Sequence, residues 1–568
     1  MALSLLLVGL ATSCLAQQIG KLTAEVHPPF RSERCTVEAG CTAQNTSIVL
    51  DSDYRWTHTV NGYDNCKPDG LDTALCPDAK TCSANCALEG VNYTSYGIDA
   101  SDRSLTLKLF TDENGVTKMS SPRVYLLNEH SEYETFSMLN KEISFTVDVS
   151  KLPCGTNGAL YFSEMLADGG RSDLNPAGAS YGTGYCDAQC PTPAFINGEA
   201  NIEKHGACCN EMDLWEANSK AQALTPHPCN ITQVYKCSGA ACGTGNKYAS
   251  VCDKDGCDFN PYRLGQTRFY QPNATVDTTR PFTVVTQFLT TNGTDQGDLK
   301  EIRRLYVQDG RIIDNAVVSA AGFNRENSLT DAFCAKEKQV FGGVNAFANQ
   351  GGLRGMGEAL RRGMVLVFSI WDDAGSAMKW LDGTFPTDAD VKTQPGTGRG
   401  PCAANEGSAQ SIKEKSPWVQ VTFSQVKSGE IGSTFGPKGV KGLVPRIRGG
   451  ALPRSLKPLF LNTTTVNIRP TAPQIPTTRR PAPTGSSRPT ASRSTSRSLT
   501  IPIPTLSLPT AYPTNRQART KWSQPTDNDP ITNPHTNGSD ETYKDSSETQ
   551  RHKQAYTTLE YPDNKNRN

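Results

Sequence analysis

Three carboxylates stand within six residues in the segment 208–219, which reads CCNEMDLWEANS. They are Glu211, Asp213 and Glu216, and they directly follow a vicinal cysteine pair. Like charges at close range raise one another's pKa, so such a cluster favours one ionised carboxylate beside one protonated carboxylic acid. Retaining hydrolysis of a glycosidic bond uses a pair of this kind, with the carboxyl groups about 5–5.5 Å apart.

The spacing of the acids limits the element that can carry them. On a helix, Glu211 and Glu216 would lie about 140° apart around the axis. On a regular strand, Glu211 and Asp213 share a face but Glu216 points the other way. One extra residue, a β-bulge near Leu214–Trp215, returns Glu216 to that face. We therefore predict a bulged strand on the concave side of a sheet. The alternative is a solvated acidic edge strand.

The surrounding chain, from about residue 25 to residue 435, indicates an all-β fold. It is rich in Gly and consists of short apolar or alternating runs separated by long Gly/Asn/Asp/Pro segments such as 167–185, which predict loops. One short helix is predicted at 353–362. This pattern favours a sandwich. The clearest strand signals are at 105–109, 143–149, 282–289, 364–370 and 418–423.

The two ends of the chain differ from this body. Residues 1–16 contain an apolar run that is too short to span a bilayer and ends in small residues, which predicts a secretory signal peptide. A lipoprotein signal is the alternative there. Residues 17–435 are predicted to form the catalytic β-sandwich domain. Residues 436–568 are dominated by Ser, Thr, Pro and Arg and predict a disordered linker and tail.

Cysteine usage agrees with secretion. Removal of Cys14 with the signal leaves 18 of the 19 cysteines, an even number that suits a disulfide framework. A zinc site at residues 186, 190, 208 and 209 is the alternative, but an oxidising compartment disfavours it. We expect neither a metal nor a cofactor. Seven N-glycosylation sequons are present, at Asn45, Asn92, Asn230, Asn273, Asn292, Asn462 and Asn537.

The net charge of zero hides an asymmetry. The segment from Gly436 onward holds 20 of the 57 basic and 8 of the 57 acidic residues, so it carries +12 and the body carries −12. An acidic body argues against nucleic acid as the substrate. We expect a monomer that binds neither nucleic acid nor a membrane.

The acidic segment resembles the active-site strand of glycoside hydrolase family 7, the fungal family of retaining cellulases, whose motif is C-C-x-E-M-D-[IL]-x-E-x-N-S. The resemblance implies that Glu211 is the nucleophile, Asp213 its orienting partner and Glu216 the acid/base. It implies a curved antiparallel jelly-roll sandwich whose long, disulfide-pinned loops form a cleft for cellulose chains.

The resemblance also implies nine disulfides and a set of sugar contacts. No cysteine follows Cys402, so a cysteine-bridged cellulose-binding module cannot be present. The implied bridges are Cys35–Cys41, Cys66–Cys86, Cys76–Cys82, Cys154–Cys402, Cys186–Cys209, Cys190–Cys208, Cys229–Cys252, Cys237–Cys242 and Cys257–Cys334.

Sugar rings stack their C–H faces on aromatic side chains. By resemblance, Trp56 holds a distant glucose, and Trp371 and Trp380 are platforms beside the cleavage point. His227 lies near the acid/base, although a buried, hydrogen-bonded loop histidine is an equal alternative. The remaining implied contacts are Arg123, Asn157, Tyr161, Tyr181 and Asp187 along the cleft and Arg263 and Arg399 on the product side.

Loop lengths favour endo action on internal β-1,4-glucosidic bonds. Tunnel-forming relatives carry an insertion between the equivalents of Glu203 and His205, and this chain lacks it. The long segment 382–402 instead resembles cellobiohydrolases, so a reducing-end cellobiohydrolase is the alternative enzyme. A non-catalytic glucan-binding lectin is the alternative of another class, but it has no use for three clustered acids.

Overall fold

The computed structural model describes residues 18–68 and 70–436. The predicted signal peptide at 1–16 and the predicted tail beyond residue 436 lie outside the described residues. Strands dominate the described chain, as the sequence predicts.

The described strands are β1 Gln18–Ile19, β2 Glu33–Thr36, β3 Gly40–Ala43, β4 Ser47–Leu50, β5 Thr57–Thr59, β6 Cys86–Leu88, β7 Ile98–Ser101, β8 Ser104–Lys108, β9 Phe110–Glu113, β10 Val116–Met119, β11 Arg123–Leu127, β12 Thr135–Phe136, β13 Lys141–Asp148, β14 Thr156–Ser163, β15 Phe195–Ile196, β16 Glu199–Ala200, β17 Gly206–Cys208, β18 Glu211–Ala217, β19 Gln222–His227, β20 Tyr235–Cys237, β21 Tyr270–Gln271, β22 Val276–Asp277, β23 Phe282–Thr290, β24 Leu299–Gln308, β25 Arg311–Asp314, β26 Ser328–Leu329, β27 Met364–Asp372 and β28 Gln420–Glu430. The described α-helices are α1 Ala79–Asn85, α2 Asp331–Phe341, α3 Ala346–Asn349, α4 Gly352–Arg362, α5 Lys379–Asp382 and α6 Ala409–Lys415.

Two large sheets form a sandwich, which confirms the predicted all-β class. The site sheet has the strand order β19-β18-β14-β27-β11-β4, with β12 paired to β27. The outer sheet has the order β25-β24-β23-β13-β28-β2-β3, with β7, β8 and β26 attached. The strand that carries the three acids, β18, therefore lies one strand in from the edge of the site sheet.

Alternating apolar side chains fill the space between the sheets. Phe368 of the site sheet meets Phe423 of the outer sheet with ring centroids 5.4 Å apart. Trp215 of β18 meets Phe145 of β13 at 6.3 Å. Both members of each pair are fully or almost fully buried, and each such side chain contributes about 1.5–3 kcal/mol through removal from water. This core fixes the side of β18 that faces away from the acids.

Two local features were not predicted from the sequence. Although most sheet pairings are antiparallel, β2 joins the outer sheet in parallel with β28. The two strands are far apart in sequence, so no hairpin imposes an antiparallel pairing on them. The helix α2 was not predicted, whereas the predicted helix is present as α4. None of the helices in the described ranges is long and apolar enough to cross a bilayer.

All nine predicted disulfides are present. They include Cys186–Cys209 and Cys190–Cys208, so the four cysteines of the zinc alternative are occupied by covalent bonds. The longest span is Cys154–Cys402, which joins residues 248 apart in sequence. The five sequons within the described ranges, Asn45, Asn92, Asn230, Asn273 and Asn292, all have exposed asparagines.

Candidate active site

Strand β18 is bulged where the sequence analysis predicted. Between Asp213 and Glu216, the two residues Leu214 and Trp215 face a single residue of β19, Leu224. The pairing of β18 with β14 on its other side shifts register in the same region. The bulge near Leu214–Trp215 is thus confirmed from both neighbouring strands.

The bulge separates the acids from the core. Leu214 and Trp215 are adjacent in sequence, yet both are fully buried in the apolar core between the two sheets. In a regular strand, two adjacent side chains would point to opposite faces. Because the bulge absorbs one residue, Glu211, Asp213 and Glu216 can all face away from that core.

Glu211 is held at the N-terminal end of β18. The backbone N–H of Ala188 donates to its Oε2 at 3.0 Å. The side chain is 8% exposed. Burial raises the pKa of Glu211 well above its usual range, and the nearby Asp213 and Asp187 add to that rise, while His227 and the Ala188 N–H lower it. These donors therefore offset part of the cost that burial and the neighbouring acids place on the ionised carboxyl.

Two disulfides fix the donor of that hydrogen bond. Cys186 and Cys190 flank the Ala188 loop, and their bridges to Cys209 and Cys208 tie it to the residues just before β18. The Ala188 amide therefore cannot move away from Glu211 without moving the strand itself.

Asp213 and His227 are in direct contact. His227 Nδ1 lies 2.8 Å from the carbonyl oxygen of Asp253 and Nε2 lies 3.1 Å from Asp213 Oδ2. A carbonyl can only accept, so Nδ1 carries a hydrogen. Nε2 is the ring nitrogen that faces the Asp213 carboxyl. Burial raises the pKa of Asp213 well above its usual range, with Asp187 adding to the rise and a hydrogen bond to Glu211 opposing it.

Glu216 lies at the C-terminal end of β18 and is more open. Asn157 Nδ2 donates to Glu216 Oε1 at 3.0 Å, and Asn157 Oδ1 accepts the backbone N–H of Ala217 at 2.9 Å. Burial raises the pKa of Glu216 well above its usual range; Asp213 adds to this rise, and His227 and Asn157 oppose it. A partly exposed carboxylic acid that retains its proton is suited to donate it to a leaving group.

Asn157 itself is fully buried. Its predicted contact with sugar remains a prediction, whereas its contact with Glu216 is direct. Its two side-chain hydrogen bonds fix both the amide plane and the carboxyl that it faces.

The predicted platforms Trp371 and Trp380 lie beside the Glu216 end. Their rings stack with centroids 6.0 Å apart, and Trp380 Nε1 donates to Asp373 Oδ2 at 3.2 Å. Both residues are partly exposed and pack against the cluster of Ala223, Met378 and Leu381, in which Ala223 is the residue of β19 that pairs with Glu216. Partly exposed indoles at this position can stack a sugar ring next to the acid.

Trp56 belongs to a separate aromatic group. Its ring stacks on His58 at 4.1 Å and lies 6.1 Å from Tyr63, at 19° between planes. Tyr63 is 74% exposed, and the sequence analysis did not identify it. A signal was present, because Tyr63 follows Trp56 closely in a Gly/Asn-rich loop segment.

A hydrogen-bonded chain links three further residues. The Tyr161 and Tyr185 hydroxyls are 2.8 Å apart, and the Tyr185 hydroxyl donates to Asp187 Oδ2 at 2.7 Å. Arg123 stacks its guanidinium on the Tyr185 ring at 3.4 Å and donates to Asp51 at 2.7 Å. Tyr185 was missed because it shares the ASYGTGYCD segment with the predicted residue 181.

Tyr181 is placed apart from that chain. It packs with Leu88 and Ala177, and the Arg55 guanidinium lies 5.2 Å from its ring centroid. It is 8% exposed. Its role as a sugar contact remains a prediction.

The two predicted product-side arginines differ in availability. Arg263 donates to Asp258 and Glu337 and, at 2.9 Å, to the carbonyl of Gly396. Arg399 lies 3.6 Å from Asp258 with 20% of its side chain exposed, against 8% for Arg263. Burial lowers the pKa of Arg399 to about 10. Arg399 is the more accessible of the two for a ligand, and the acids that occupy Arg263 were not identified from the sequence.

Comparison with known proteins identifies a family. The profile described as "Glycosyl hydrolase family 7" matches residues 19–435. A protein of Aspergillus clavatus named "Probable endo-beta-1,4-glucanase celB" is 53% identical over 423 residues, which cover 74% of this chain and 94% of that protein.

Solved structures of family 7 enzymes are also similar to this chain. A family 7 cellobiohydrolase from Daphnia pulex is 42% identical with a TM-score of 0.70, and covers 74% of this chain and 100% of that one. The native Humicola insolens endocellulase EGI is 41% identical with a TM-score of 0.67, at the same coverage of 74% and 100%. With a match across the whole described sandwich, the chain belongs to glycosyl hydrolase family 7.

Proposed function

We propose that this protein is an endo-1,4-β-glucanase that hydrolyses internal β-1,4-glucosidic bonds of cellulose and related glucans with retention of configuration. The observation that carries the proposal is the bulge of β18, which lets Glu211 and Glu216 act from one face of one strand. The relative that is 53% identical and named as an endo-glucanase supports the same activity.

In the first step, Glu211 attacks the anomeric carbon while Glu216 gives its proton to the glycosidic oxygen. The Ala188 N–H and Asp213 hold the attacking carboxylate in place. The bond between carbon and glycosidic oxygen breaks as the bond to Glu211 forms, and the leaving chain departs as an alcohol. The sugar is then an ester of Glu211.

In the second step, Glu216 is ionised and removes a proton from water, which attacks the same carbon. The ester breaks, Glu211 leaves as a carboxylate and Glu216 regains its proton. Two inversions give net retention. The charge that returns to Glu211 is stabilised by the Ala188 N–H.

The region before β18 supports endo action. Only residues 201–205 connect β16 to β17, and Asn201 closes them into a turn through hydrogen bonds of 2.8 Å to both the N–H and the carbonyl of His205. A turn closed in this way cannot extend over the site. The long segment 382–402 and the likeness to a cellobiohydrolase keep reducing-end cellobiohydrolase as the second candidate.

The two candidates differ in how quickly they shorten a polymer. We expect a rapid loss of viscosity of carboxymethylcellulose with few reducing ends released, because internal cuts halve chains. Nearly pure cellobiose from crystalline cellulose, with little change in viscosity, would instead establish the exo candidate. Binding without any new reducing ends would establish the lectin alternative.

We further propose that the protein is a secreted monomer that binds glucan chains and needs no cofactor. The disulfide framework and the exposed sequons support an oxidising, extracellular setting. N-terminal sequencing of the secreted protein should begin at Gln17. A mature chain that retains residues 1–16 would contradict the signal-peptide prediction.

A further inference from the structure

A buried arginine reaches the catalytic strand from the opposite sheet. Arg304 lies on β24 of the outer sheet and is 2% exposed. Its Nη2 crosses the core and donates to the carbonyl oxygen of Leu214, one of the two bulged residues. It therefore contacts the back of β18 at the place where the strand departs from regular geometry.

Burying the Arg304 guanidinium costs desolvation free energy, and no ion pair among the described residues compensates for it. Within residues 18–68 and 70–436, no carboxylate forms an ion pair with Arg304. Its neighbours are aromatic: the Trp215 ring centroid lies 5.8 Å away and the Tyr306 ring centroid 5.9 Å away. A buried cation without a counter-charge is strongly disfavoured unless hydrogen bonds and π faces compensate. A stability role alone would be met better by an apolar residue.

The bulge leaves a backbone carbonyl without a partner in the strand ladder, and Arg304 supplies that partner. The extra residue of a bulge is left out of the strand ladder, so its polar groups need partners from elsewhere. Leu214 lies in the apolar core, and Arg304 supplies the donor to its carbonyl oxygen. An unpaired carbonyl here would favour a regular ladder, which turns every later side chain of β18 to the other face.

The same network reaches the strand on the far side of the bulge. The Tyr306 ring lies beside the Arg304 guanidinium, and the Tyr306 hydroxyl accepts a hydrogen bond of 2.8 Å from Gln222 Nε2. Gln222 pairs with Ala217, the residue after Glu216. Arg304 thus contacts β18 just before Glu216, and Tyr306 contacts the β19 residue that pairs with β18 just after Glu216.

We propose that Arg304 is a positioning residue for the reaction: by capping the Leu214 carbonyl it maintains the bulge that keeps Glu216 on the face of Glu211. This inference rests on the proposed function. Glu211 is fixed independently, by the Ala188 amide and two disulfides. Loss of Arg304 therefore displaces the proton donor more than the nucleophile.

The inference predicts a dependence on the leaving group. Protonation by Glu216 matters most when the leaving alcohol is a poor one and little when it is a good one such as dinitrophenol. We would measure kcat/KM of the full chain for a series of aryl β-cellobiosides from phenol to dinitrophenol. Arg304→Met should lose about 100-fold with the phenyl substrate and about tenfold or less with the dinitrophenyl one.

The matched control is Ile302→Ala, which also alters a fully buried side chain on the core face of β24. It should lower the melting temperature and leave the leaving-group dependence as in the wild type. Arg304→Lys, which keeps the charge and an N–H donor group, should recover most of the loss. If Arg304→Met does not fold, Arg304→Lys must still show a steeper leaving-group dependence than the wild type.

Equal losses across the series for Arg304→Met, or a dependence matched by Ile302→Ala, would refute the positioning role and leave the proposed function standing. A wild-type chain that cleaves none of the cellobiosides and no glucan would refute the proposed function, and the inference with it.

Discussion

The two ends of β18 carry the same type of side chain in different surroundings. Glu211 has a backbone donor, two flanking disulfides and Asp213 beside it, and is almost fully buried. Glu216 has a single side-chain donor, Asn157, and is partly exposed. A nucleophile that returns to the same position gains from rigid donors, whereas an acid/base must exchange protons with water and with departing sugars. The asymmetry is consistent with the predicted roles, Glu211 as nucleophile and Glu216 as acid/base, which the variants below test.

The largest effect should come from Glu211, at the buried N-terminal end of β18. Glu211→Gln removes the attacking oxygen, so kcat should fall on the order of 10⁴-fold or more while binding of cello-oligosaccharides persists. Steady-state kinetics and titration calorimetry on the same preparation would check both. Retention of more than a few per cent of activity would assign the nucleophile elsewhere.

Substitution of Glu216, at the partly exposed C-terminal end of β18, should have an effect that depends on the leaving group. Glu216→Gln should lower kcat/KM about 10²- to 10⁴-fold on glucans and on poor leaving groups, and far less on dinitrophenyl β-cellobioside, which departs without a proton. Added azide, a nucleophile that needs no general base, should restore turnover of the good substrate. A uniform loss without azide rescue would contradict the acid/base role.

A smaller effect should follow from the donor to Glu216. Asn157→Ala removes the hydrogen bond that stabilises the ionised form of Glu216, so the pKa of that carboxyl should rise. The basic limb of the pH profile of kcat/KM, which reports loss of the acid's proton, should move to higher pH, with kcat/KM at the optimum lower by about tenfold. An unchanged basic limb would show that Glu216 does not determine it.

The smallest effect concerns stability. Because burial and neighbouring acids raise the pKa of Glu211, the folded state holds more protons than the unfolded chain once the pH exceeds about 4.5, the ordinary value. Stability from this group is thus lost as pH rises from there toward the raised pKa. Glu211→Gln does not titrate, so its melting temperature should exceed that of the wild type by about 2 °C or more at pH 7, and by less at pH 4.5.

The control for this prediction is Glu203→Gln, since the Glu203 side chain is 79% exposed. It should change the melting temperature little at either pH. If Glu211→Gln stabilises the protein equally at pH 4.5 and pH 7, ionisation of Glu211 does not lower the free energy of unfolding.

The bulge was predictable because neither a helix nor a regular strand places Glu211, Asp213 and Glu216 on one face. The sandwich was predictable because alternation at 105–109 and 143–149 reports burial on one face. The helix α2 was not predictable because its sequence lacks a clear apolar face. It is stabilised by the N-terminal cap Thr330 and by the disulfide of Cys334. The Ala188 donor is a backbone group without a residue signature.

Arg304 shows a different limit of sequence analysis. It is 90 residues from Leu214, on another sheet, and only the packing of the two sheets brings them together. An arginine within an alternating strand is normally expected on the solvent face. The alternation of β24 places it on the core face beside Ile302 and Tyr306, which is the signal that could have raised the question.

The vicinal cysteines before β18 have a consequence for how active molecules arise. Four cysteines close in space can be joined in three ways, and the observed pairing is the one that sets the Ala188 amide against Glu211. Oxidation alone does not select that pairing; reshuffling by thiol exchange does. A production host that oxidises thiols but lacks a disulfide isomerase should therefore yield soluble protein of low specific activity, and treatment with a glutathione redox buffer should recover it.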